Sequence, residues 1–372
     1  MPRIASAGPQ CRRLLLGDAM RRFVALLASA ALAGTGVVTE ALPAAANATT
    51  VAVASIKTSP YVALGDSYSS AAGVAPQVLG APATCSRSQL NYAHDIAART
   101  HPARFTDVTC SGATTSDFFS SQATGVAPQL NAVGTGTRLV TMTIGGNDEE
   151  VFVNSFFGCL KVDAGKIFGD PCKTKFGSTF TNLIRTQTYP HLVRALSAVR
   201  AKAPRATVLI LGYPRILPNV GVPTCYPAMP ISMGDVPWLV NQQLVLNDAV
   251  RRAAAATGSR YIDTYTASAG HDACQPLLKR WLEPAVAPVN AFPVHPNATG
   301  EAAMARETLA QTPGIVSGMP VAPVVPVRTV RNGSASRASN RVSSVQQQAP
   351  PVSGVAPARV ATAVPGAAAF TG

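Results

Sequence analysis

The sequence predicts an α/β domain with three layers, α/β/α, built on a parallel β-sheet. Between about residues 60 and 312, short apolar runs alternate with amphipathic stretches, and Gly, Ser or Asp follows the runs. Strands separated by helices favour parallel pairing with right-handed crossovers, which places helices on both faces of the sheet. In such folds the reactive groups gather beyond the carboxyl ends of the strands, so chemically capable residues are expected just after strands.

Five short runs rich in β-branched residues or leucine predict five strands. They are Tyr61–Leu64, Thr106–Thr109, Leu139–Ile144, Thr207–Leu211 and Arg260–Ile262. Helices are predicted between them and after them, where amphipathic patterns occur. They are Tyr92–Arg99, Gln187–Ala201, Trp238–Ala256 and Glu301–Leu309.

Residues 1–48 are predicted to be an export signal. An arginine pair at 21–22 precedes an apolar stretch from 23 to 38, and residues 46–48 form a small-residue cleavage site of the A-x-A type. The apolar stretch is shorter than the roughly 20 residues that span a bilayer, so a cleaved signal is favoured over an uncleaved anchor. Two residues are candidate starts, Met1 and Met20. The sequence therefore predicts a secreted protein, with cell-wall association as a variant of that location.

Composition divides the rest into a folded domain, residues 49–312, and a disordered tail, residues 313–372. The tail is rich in Pro, Ala, Val and Ser and contains no acidic residue. The formal net charge is +13, but five arginines fall in residues 1–48 and five in the tail. Because the chain has no RNP-type motif, zinc-finger spacing or long basic helix, no nucleic-acid partner is expected. A monomer is expected, and its mildly basic surface is compatible with transient contact with a membrane or cell wall.

The cysteines predict disulfides rather than a metal site. Of seven cysteines, Cys11 lies in the signal segment, and an even number in the exported part indicates disulfides. Six cysteines allow many connectivities. Sequential pairing is favoured because each pair then lies within one local region: Cys85–Cys110, Cys159–Cys172 and Cys225–Cys274. No C-x-x-C occurs, so a metal site has little support. No cofactor is expected.

Four short segments carry residues suited to acyl transfer. They are Gly65-Asp66-Ser67, Ser111-Gly112-Ala113, Gly145-Gly146-Asn147-Asp148 and His295-Pro296-Asn297. Ser67 is a candidate nucleophile, and His295 is a candidate general base because a neutral imidazole can accept and return a proton near neutral pH. The backbone N–H of Gly112 and the side-chain amide of Asn147 are candidate donors to an oxyanion. Each segment alone is more common as a plain turn, whereas their order and their positions after strands favour a catalytic site.

Other histidines compete with His295 for the role of base. Three of them lie in or near predicted helices and are interpreted as surface or packing residues: His94, His101 and His191. His271 lies in a loop beside Cys274 and is the serious rival.

Together the four segments resemble the four blocks of the SGNH (GDSL-type) hydrolase superfamily, named for a Ser, a Gly, an Asn and a His. In this chain those residues are Ser67, Gly112, Asn147 and His295, and the resemblance covers about residues 60 to 309. Within it, the six-cysteine pattern, Arg280-Trp281 and His295-Pro296-Asn297 are similar to secreted actinobacterial (Streptomyces-type) lipases and esterases. The resemblance implies a flavodoxin-like sheet of five parallel strands and catalysis without a metal. It also implies an oxyanion hole formed by the N–H groups of Ser67 and Gly112 and the Asn147 side chain.

One position departs from the superfamily pattern. Many members place an Asp three residues before the histidine, where it holds the imidazole tautomer, but Phe292 stands there in this chain. We predict that the backbone carbonyl of Phe292 orients His295, with Asp272 as a more distant alternative. The G-x-S-x-G elbow of α/β-hydrolases is absent around Ser67, which argues against that fold.

The sequence therefore predicts a secreted carboxylic ester hydrolase, a lipase or esterase with phospholipids among its candidate substrates. It would act through an acyl-enzyme on Ser67 with His295 as base. Aromatic candidates for an acyl-binding groove, most of which are better explained as core, are Tyr68, Phe118, Phe119, Phe152 and Phe156. Two alternatives stay open: a carbohydrate-ester deacetylase with the same residues, and a non-catalytic wall-binding module on the same scaffold.

Overall fold

The computed structural model describes residue 57 and residues 59–317 of the 372-residue chain. The predicted signal segment and nearly all of the predicted tail lie outside the described residues. Within the described part, none of the helices combines the length and the apolar character needed to cross a membrane.

A five-stranded parallel sheet forms the centre of the domain. Its strands are β1 (Pro60–Ala63), β2 (Arg104–Asp107), β3 (Leu139–Met142), β4 (Thr207–Leu211) and β5 (Arg260–Ile262). They lie in the order β2-β1-β3-β4-β5, and every neighbouring pair is parallel. The predicted fold class is confirmed. The ranges of β4 and β5 are those predicted, and the other strands end one or two residues before their predicted ends.

Helices flank the sheet. The α-helices are α1 (Ser67–Ser70), α2 (Tyr92–Thr100), α3 (Gly158–Asp163), α4 (Pro171–Phe176), α5 (Thr179–Leu183), α6 (Tyr189–Lys202), α7 (Val236–Thr257), α8 (Thr264–Ala267), α9 (Ala298–Gln311) and α10 (Gly314–Ser317). Short 3₁₀ segments lie at Ala83–Cys85, Thr115–Phe118, Gln129–Ala132, Asp148–Glu150 and Pro223–Cys225, and π-helical segments at Val153–Phe157 and Ile184–Thr188. The predicted helices correspond to α2, α6, α7 and α9.

Alternate residues of each strand face opposite sides of the sheet, which creates two cores. On β1, Val62 packs in the core that contains α6 and α7, whereas Tyr61 and Ala63 pack in the core that contains α2 and α9. Burial on both faces explains why the run that predicted β1, Tyr61–Leu64, is continuously apolar. The three-layer arrangement follows directly from this two-sided burial.

Two parts of the chain were not foreseen. The segment between β3 and α6 folds into α3, α4 and α5, each of five or six residues, which is too short to show a helical periodicity in the sequence. The helix α10 lies inside the segment assigned to the tail, and its Ile315 is buried in the core beside α2. The folded domain therefore continues past residue 312.

Three disulfides join the cysteines in the sequential pairs Cys85–Cys110, Cys159–Cys172 and Cys225–Cys274.

The strand order reverses direction between β1 and β3, and such a switch point opens a crevice at the carboxyl ends of the two strands. The chain segments that follow β1, β2 and β3 carry Ser67, Gly112 and Asn147.

Candidate active site

The chain turns sharply between the end of β1 and Ser67. Gly65 has a φ of +123°, and a Cβ there would lie 2.4 Å from the carbonyl oxygen of Thr143, so only glycine fits. Gln129 holds the turn by accepting a hydrogen bond from the Gly65 N–H (2.7 Å) and donating one to the Gly65 carbonyl (3.0 Å). Ser67 follows as the first residue of α1 and is 4% exposed.

Asp66 directly precedes Ser67 and connects three strand ends. Its carboxylate accepts hydrogen bonds from the Tyr68 N–H (3.1 Å), the Thr143 hydroxyl (2.6 Å) and the Tyr213 hydroxyl (2.5 Å). The Tyr213 hydroxyl in turn accepts from the Gly146 N–H at 2.8 Å. Burial raises the pKa of Asp66 to about 6, although these hydrogen bonds partly offset the effect. This network was not predicted from the sequence, where its available signal was the polar side chains of Thr143 and Tyr213 just after β3 and β4.

Gly112 and Asn147 belong to segments that meet in the structure. The Asn147 side-chain amide donates to the carbonyl of Ala113 at 2.9 Å, and because an amide nitrogen carries two hydrogens, one remains for another acceptor. Gly112 has a φ of +75°. Within the described residues, the backbone N–H groups of Ser67 and Gly112 donate to no acceptor. These free donors are of the kind that an oxyanion requires.

Two connections hold the Gly112 segment against its neighbours. The Cys110 N–H donates to the carbonyl of Gly65 at 3.0 Å. On the other side, the Asp148 carboxylate accepts from the Thr115 N–H (2.8 Å) and from the Thr115 hydroxyl (2.6 Å). The segments after β1, β2 and β3 therefore form one connected unit.

The carbonyl of Pro293, not that of Phe292, orients His295. The distance from His295 Nδ1 to the Pro293 oxygen is 2.8 Å. The Phe292 carbonyl instead accepts from the His295 backbone N–H (3.2 Å), which closes a four-residue turn. Val294, the third residue of this turn, has a φ of +62°, the sign that a type II turn requires there. The prediction for Phe292 was wrong because the turn uses that carbonyl for its own closure and turns the next one towards the ring.

Aromatic rings enclose His295. The Tyr68 ring lies 5.1 Å from the imidazole between centroids, and the Phe152 ring lies 6.4 Å away. The Tyr68 hydroxyl also donates to the Val294 carbonyl at 2.5 Å. This hydrogen bond connects α1 to residues 292–297, which we call the histidine turn. Burial lowers the pKa of His295 to about 4, and the hydrogen bond to the Pro293 carbonyl only partly opposes this shift. The imidazole is therefore neutral at neutral pH and able to accept a proton.

Glu283 supports the histidine turn from behind. Its carbonyl accepts from the Val294 N–H (3.1 Å), and its own N–H donates to the His295 carbonyl (2.9 Å). Its buried carboxylate pairs with Arg280 at 2.6 Å and accepts from the Asn297 amide at 3.0 Å. Although burial alone would raise the pKa of Glu283, the hydrogen bonds to its carboxylate outweigh burial and lower it. Arg280 and Asn297, noted in the sequence for their resemblance, thus have a structural role behind the site.

The rival residues make other contacts. The Asp272 carboxylate accepts from the Cys274 N–H (3.0 Å) and does not contact His295. The His271 ring stacks on Trp281 with centroids 4.2 Å apart, and its Nδ1 lies 2.6 Å from the Lys279 carbonyl oxygen. Neither residue takes part in orienting His295.

Two groups of potential metal ligands occur among the described residues: Cys159, Asp163, Cys172 and Asp235, and Asp148, Glu149 and His191. The two cysteines of the first group form a disulfide and offer no thiolate. In the second, Asp148 already accepts both hydrogen bonds from Thr115, and Glu149 pairs with His191 at 2.9 Å. Neither group includes Ser67 or His295.

The aromatic candidates for an acyl groove separate into two sets. Phe152 adjoins His295 and stacks on Phe156 at 5.1 Å, and the two line a small apolar cavity together with Ile216. Phe118 is fully buried in the core, and Phe119 lies beneath the guanidinium of Arg194 at 4.4 Å.

The chain is similar in sequence to known lipases and acylhydrolases. Residues 63–303 match the model of the GDSL-like Lipase/Acylhydrolase family. The chain is 51% identical over 252 residues to "Lipase 2" of Streptomyces coelicolor, an alignment that covers 67% of this chain and 84% of the relative. It is 32% identical over 275 residues to a lipase of Streptomyces rimosus, which covers 73% and 93% of the two chains.

Solved structures of two Streptomyces enzymes are also similar to this chain. Phospholipase A1 from Streptomyces albidoflavus NA297 superposes with a TM-score of 0.58 at 31% identity, over 68% of this chain and 98% of that one. The extracellular lipase of Streptomyces rimosus superposes with a TM-score of 0.56 at 29% identity, over 68% and 99% of the two chains.

Proposed function

Because the chain belongs to the GDSL-like Lipase/Acylhydrolase family and is a carboxylic ester hydrolase of the lipase/esterase type, we propose that it hydrolyses esters with Ser67 as nucleophile and His295 as general base. The observation that carries this proposal is the contact between His295 Nδ1 and the Pro293 carbonyl. A carbonyl oxygen can only accept, so Nδ1 carries the hydrogen and Nε2 carries the lone pair. The turn therefore holds the ring in the tautomer that a base needs.

The reaction proceeds in two half-reactions. His295 Nε2 takes the proton of the Ser67 hydroxyl as its oxygen attacks the ester carbon, and the carbonyl oxygen becomes an oxyanion. The N–H groups of Ser67 and Gly112 and the remaining N–H of Asn147 stabilise that charge. The imidazolium then returns its proton to the alcohol, which leaves an acyl-Ser67. A water activated by His295 hydrolyses this ester and restores the enzyme.

A carbonyl in place of a carboxylate changes the energetics of the base. Pro293 can orient the imidazole, but its neutral carbonyl stabilises the imidazolium less than an aspartate would. Burial lowers the pKa of His295 to about 4, and the hydrogen bond to the Pro293 carbonyl offsets this only in part, so the ring stays neutral down to low pH. The positioning of the ring, rather than a buried negative charge, supports catalysis.

The proposed substrates are water-insoluble esters with an acyl chain, including phospholipids. A phospholipase A1 and an extracellular lipase are among the solved structures similar to this chain, with TM-scores of 0.58 and 0.56. Phe152 and Phe156 provide an apolar wall beside His295 for an acyl chain. The export signal predicted at residues 1–48 supports secretion, and a secreted enzyme would encounter such substrates outside the cell.

The test is hydrolysis of p-nitrophenyl esters of increasing chain length by the purified wild type and Ser67→Ala, each with and without EDTA. We expect the variant to lose at least about 10⁴-fold in kcat, because removing a nucleophile leaves only binding and oxyanion stabilisation. EDTA is expected to have no effect. Equal activity of the two proteins would show that Ser67 is not the nucleophile. Activity confined to acetylated sugars would identify a carbohydrate esterase instead.

A further inference from the structure

Two loops beside the histidine turn expose aliphatic side chains to solvent. Leu278 is 98% exposed and Val289 is 65% exposed. Leu277, beside Leu278, and Val286, three residues before Val289, are exposed as well. We refer to these four residues as the aliphatic face. Apolar side chains that are exposed together mark surfaces for a partner or a membrane rather than ordinary solvent contact.

The backbone beneath the aliphatic face is firmly held. The Val289 N–H donates to the buried Glu283 carboxylate at 2.9 Å, and the Val286 N–H donates to the carbonyl of Ala228 at 3.0 Å. In the other loop, the Lys279 N–H donates to the carbonyl of Pro276 at 2.8 Å. These hydrogen bonds hold the two loops in a conformation in which the aliphatic side chains are exposed to solvent.

A groove lies between the aliphatic face and the chain that follows α1, and its lining also includes Asn297, two residues after His295. Its lining includes Leu277, Leu278 and Val289 on one side and Gly73 and Val74 on the other. Gly73 and Val74 follow α1, which begins at the nucleophile, and the loop of Val289 leads into the histidine turn. A partner that covers the aliphatic face would therefore lie at the edge of the active site.

The charge around the aliphatic face favours an anionic partner. Between residues 273 and 300 the sequence has three charged side chains, Lys279, Arg280 and Glu283. Glu283 is buried and paired with Arg280, whereas Lys279 is exposed. The face thus combines aliphatic side chains with one exposed cation and no exposed carboxylate from this stretch.

We propose that the aliphatic face docks on an anionic lipid surface and delivers the groove to esters in that surface. The proposal rests on the proposed function, since a lipid ester must leave its aggregate to reach Ser67. Leu278 and Val289 would insert among acyl chains, while Lys279 would contact phosphate groups at the level of the headgroups. Docking is distinct from catalysis, so each can be lost without the other.

The test compares binding to vesicles of phosphatidylcholine with and without phosphatidylglycerol, measured by sedimentation. The full chain carries Ser67→Ala in every arm, so hydrolysis does not alter the vesicles. Leu278→Asp with Val289→Asp should lower the partition coefficient at least about tenfold, because burial of two aliphatic side chains is lost. The matched control is Leu244→Asp, which changes an exposed leucine of α7 outside this face and should bind as the parent does.

A second measurement separates this proposal from the catalytic one. With Ser67 intact, the double variant should hydrolyse soluble p-nitrophenyl acetate within about twofold of wild type but lose vesicle hydrolysis in parallel with binding. Lys279→Glu should reduce binding to the anionic vesicles more than to the neutral ones. Unchanged vesicle binding by the double variant, an equal loss in Leu244→Asp, or failure of the parent to bind would overturn the docking proposal. Concentration-dependent dimerisation abolished by the double variant would assign the face to a second copy of the chain instead.

Discussion

The two halves of the active site are held in different ways. The segment of the proposed nucleophile, residues 64–70, is fixed by buried side chains. The Ser69 hydroxyl contacts the hydroxyls of Tyr92 (2.9 Å) and Thr143 (2.7 Å), and the Thr143 hydroxyl also donates to the Asp66 carboxylate. The histidine turn, residues 292–297, is fixed mainly by backbone hydrogen bonds.

This difference determines which of the contacts that hold each half can be removed by a substitution. Side-chain contacts of the nucleophile segment can be removed one at a time, and their loss leaves buried polar groups without partners, which costs stability. The carbonyl of Pro293 cannot be removed by substitution, so the histidine turn is vulnerable only through its few side-chain supports. Tyr68 belongs to both halves, since it lies on α1 and donates to the Val294 carbonyl.

Among the substitutions that test this comparison, the largest effect is expected at His295. His295→Gln should lower kcat at least about 10³-fold, because in the proposed mechanism a glutamine amide cannot accept the proton of the Ser67 hydroxyl. Activity is measured on a short-chain p-nitrophenyl ester, with His271→Gln as the matched control. The control histidine stacks on Trp281 and should retain wild-type kcat. A comparable loss in both variants would contradict the assignment of the base.

The oxyanion donor ranks next. Asn147→Ala should lower kcat about 10²- to 10³-fold with little change in KM, because the donor acts on charge that develops only in the transition state. Since Asn147 also donates to the Ala113 carbonyl, thermal unfolding of the variant must be measured beside its kinetics. A loss confined to KM, or one that follows unfolding, would place Asn147 in substrate binding or in the fold instead.

Tyr68→Phe tests the connection between the two halves. It removes the hydroxyl that holds the Val294 carbonyl and keeps the ring beside His295, so kcat should fall roughly tenfold as the imidazole loses its fixed orientation. The matched control is Tyr213→Phe, which leaves the buried Asp66 carboxylate and the Gly146 N–H short of a partner. The control should lose about 1–3 kcal/mol of unfolding free energy and less of its kcat than Tyr68→Phe.

Equal kinetic effects in these two variants would remove the distinction between the halves. The distinguishing readout is the ratio of the change in kcat to the change in unfolding free energy, measured by denaturant titration at one temperature. A positioning role predicts a high ratio for Tyr68, and a purely structural role predicts similar ratios for both tyrosines.

The same difference explains how much could be predicted from the sequence. The sheet, its order of reactive segments and the main helices follow from apolar periodicity and from residues that are adjacent in the chain. The roles proposed for Ser67 and Asn147 rest on such local signals. The contact of Pro293 with the imidazole depends on the left-handed φ of Val294. A β-branched residue rarely adopts this φ, so the sequence did not predict it. Asp66 could not be understood alone either, because its partners Thr143 and Tyr213 are distant in sequence.

The smallest expected effect concerns pH. A general base works when neutral, and lowering its pKa extends activity to lower pH; with His295 near 4, about 90% of the imidazole remains neutral at pH 5. A histidine with an ordinary pKa would be only about 3% neutral there. The acid limb of kcat/KM for a soluble ester should therefore fall near pH 4, provided that folding is monitored over the same range. An acid limb near pH 6.5 would mean that water reaches the imidazole in the free enzyme, and that the aromatic enclosure formed by Tyr68 and Phe152 opens in solution.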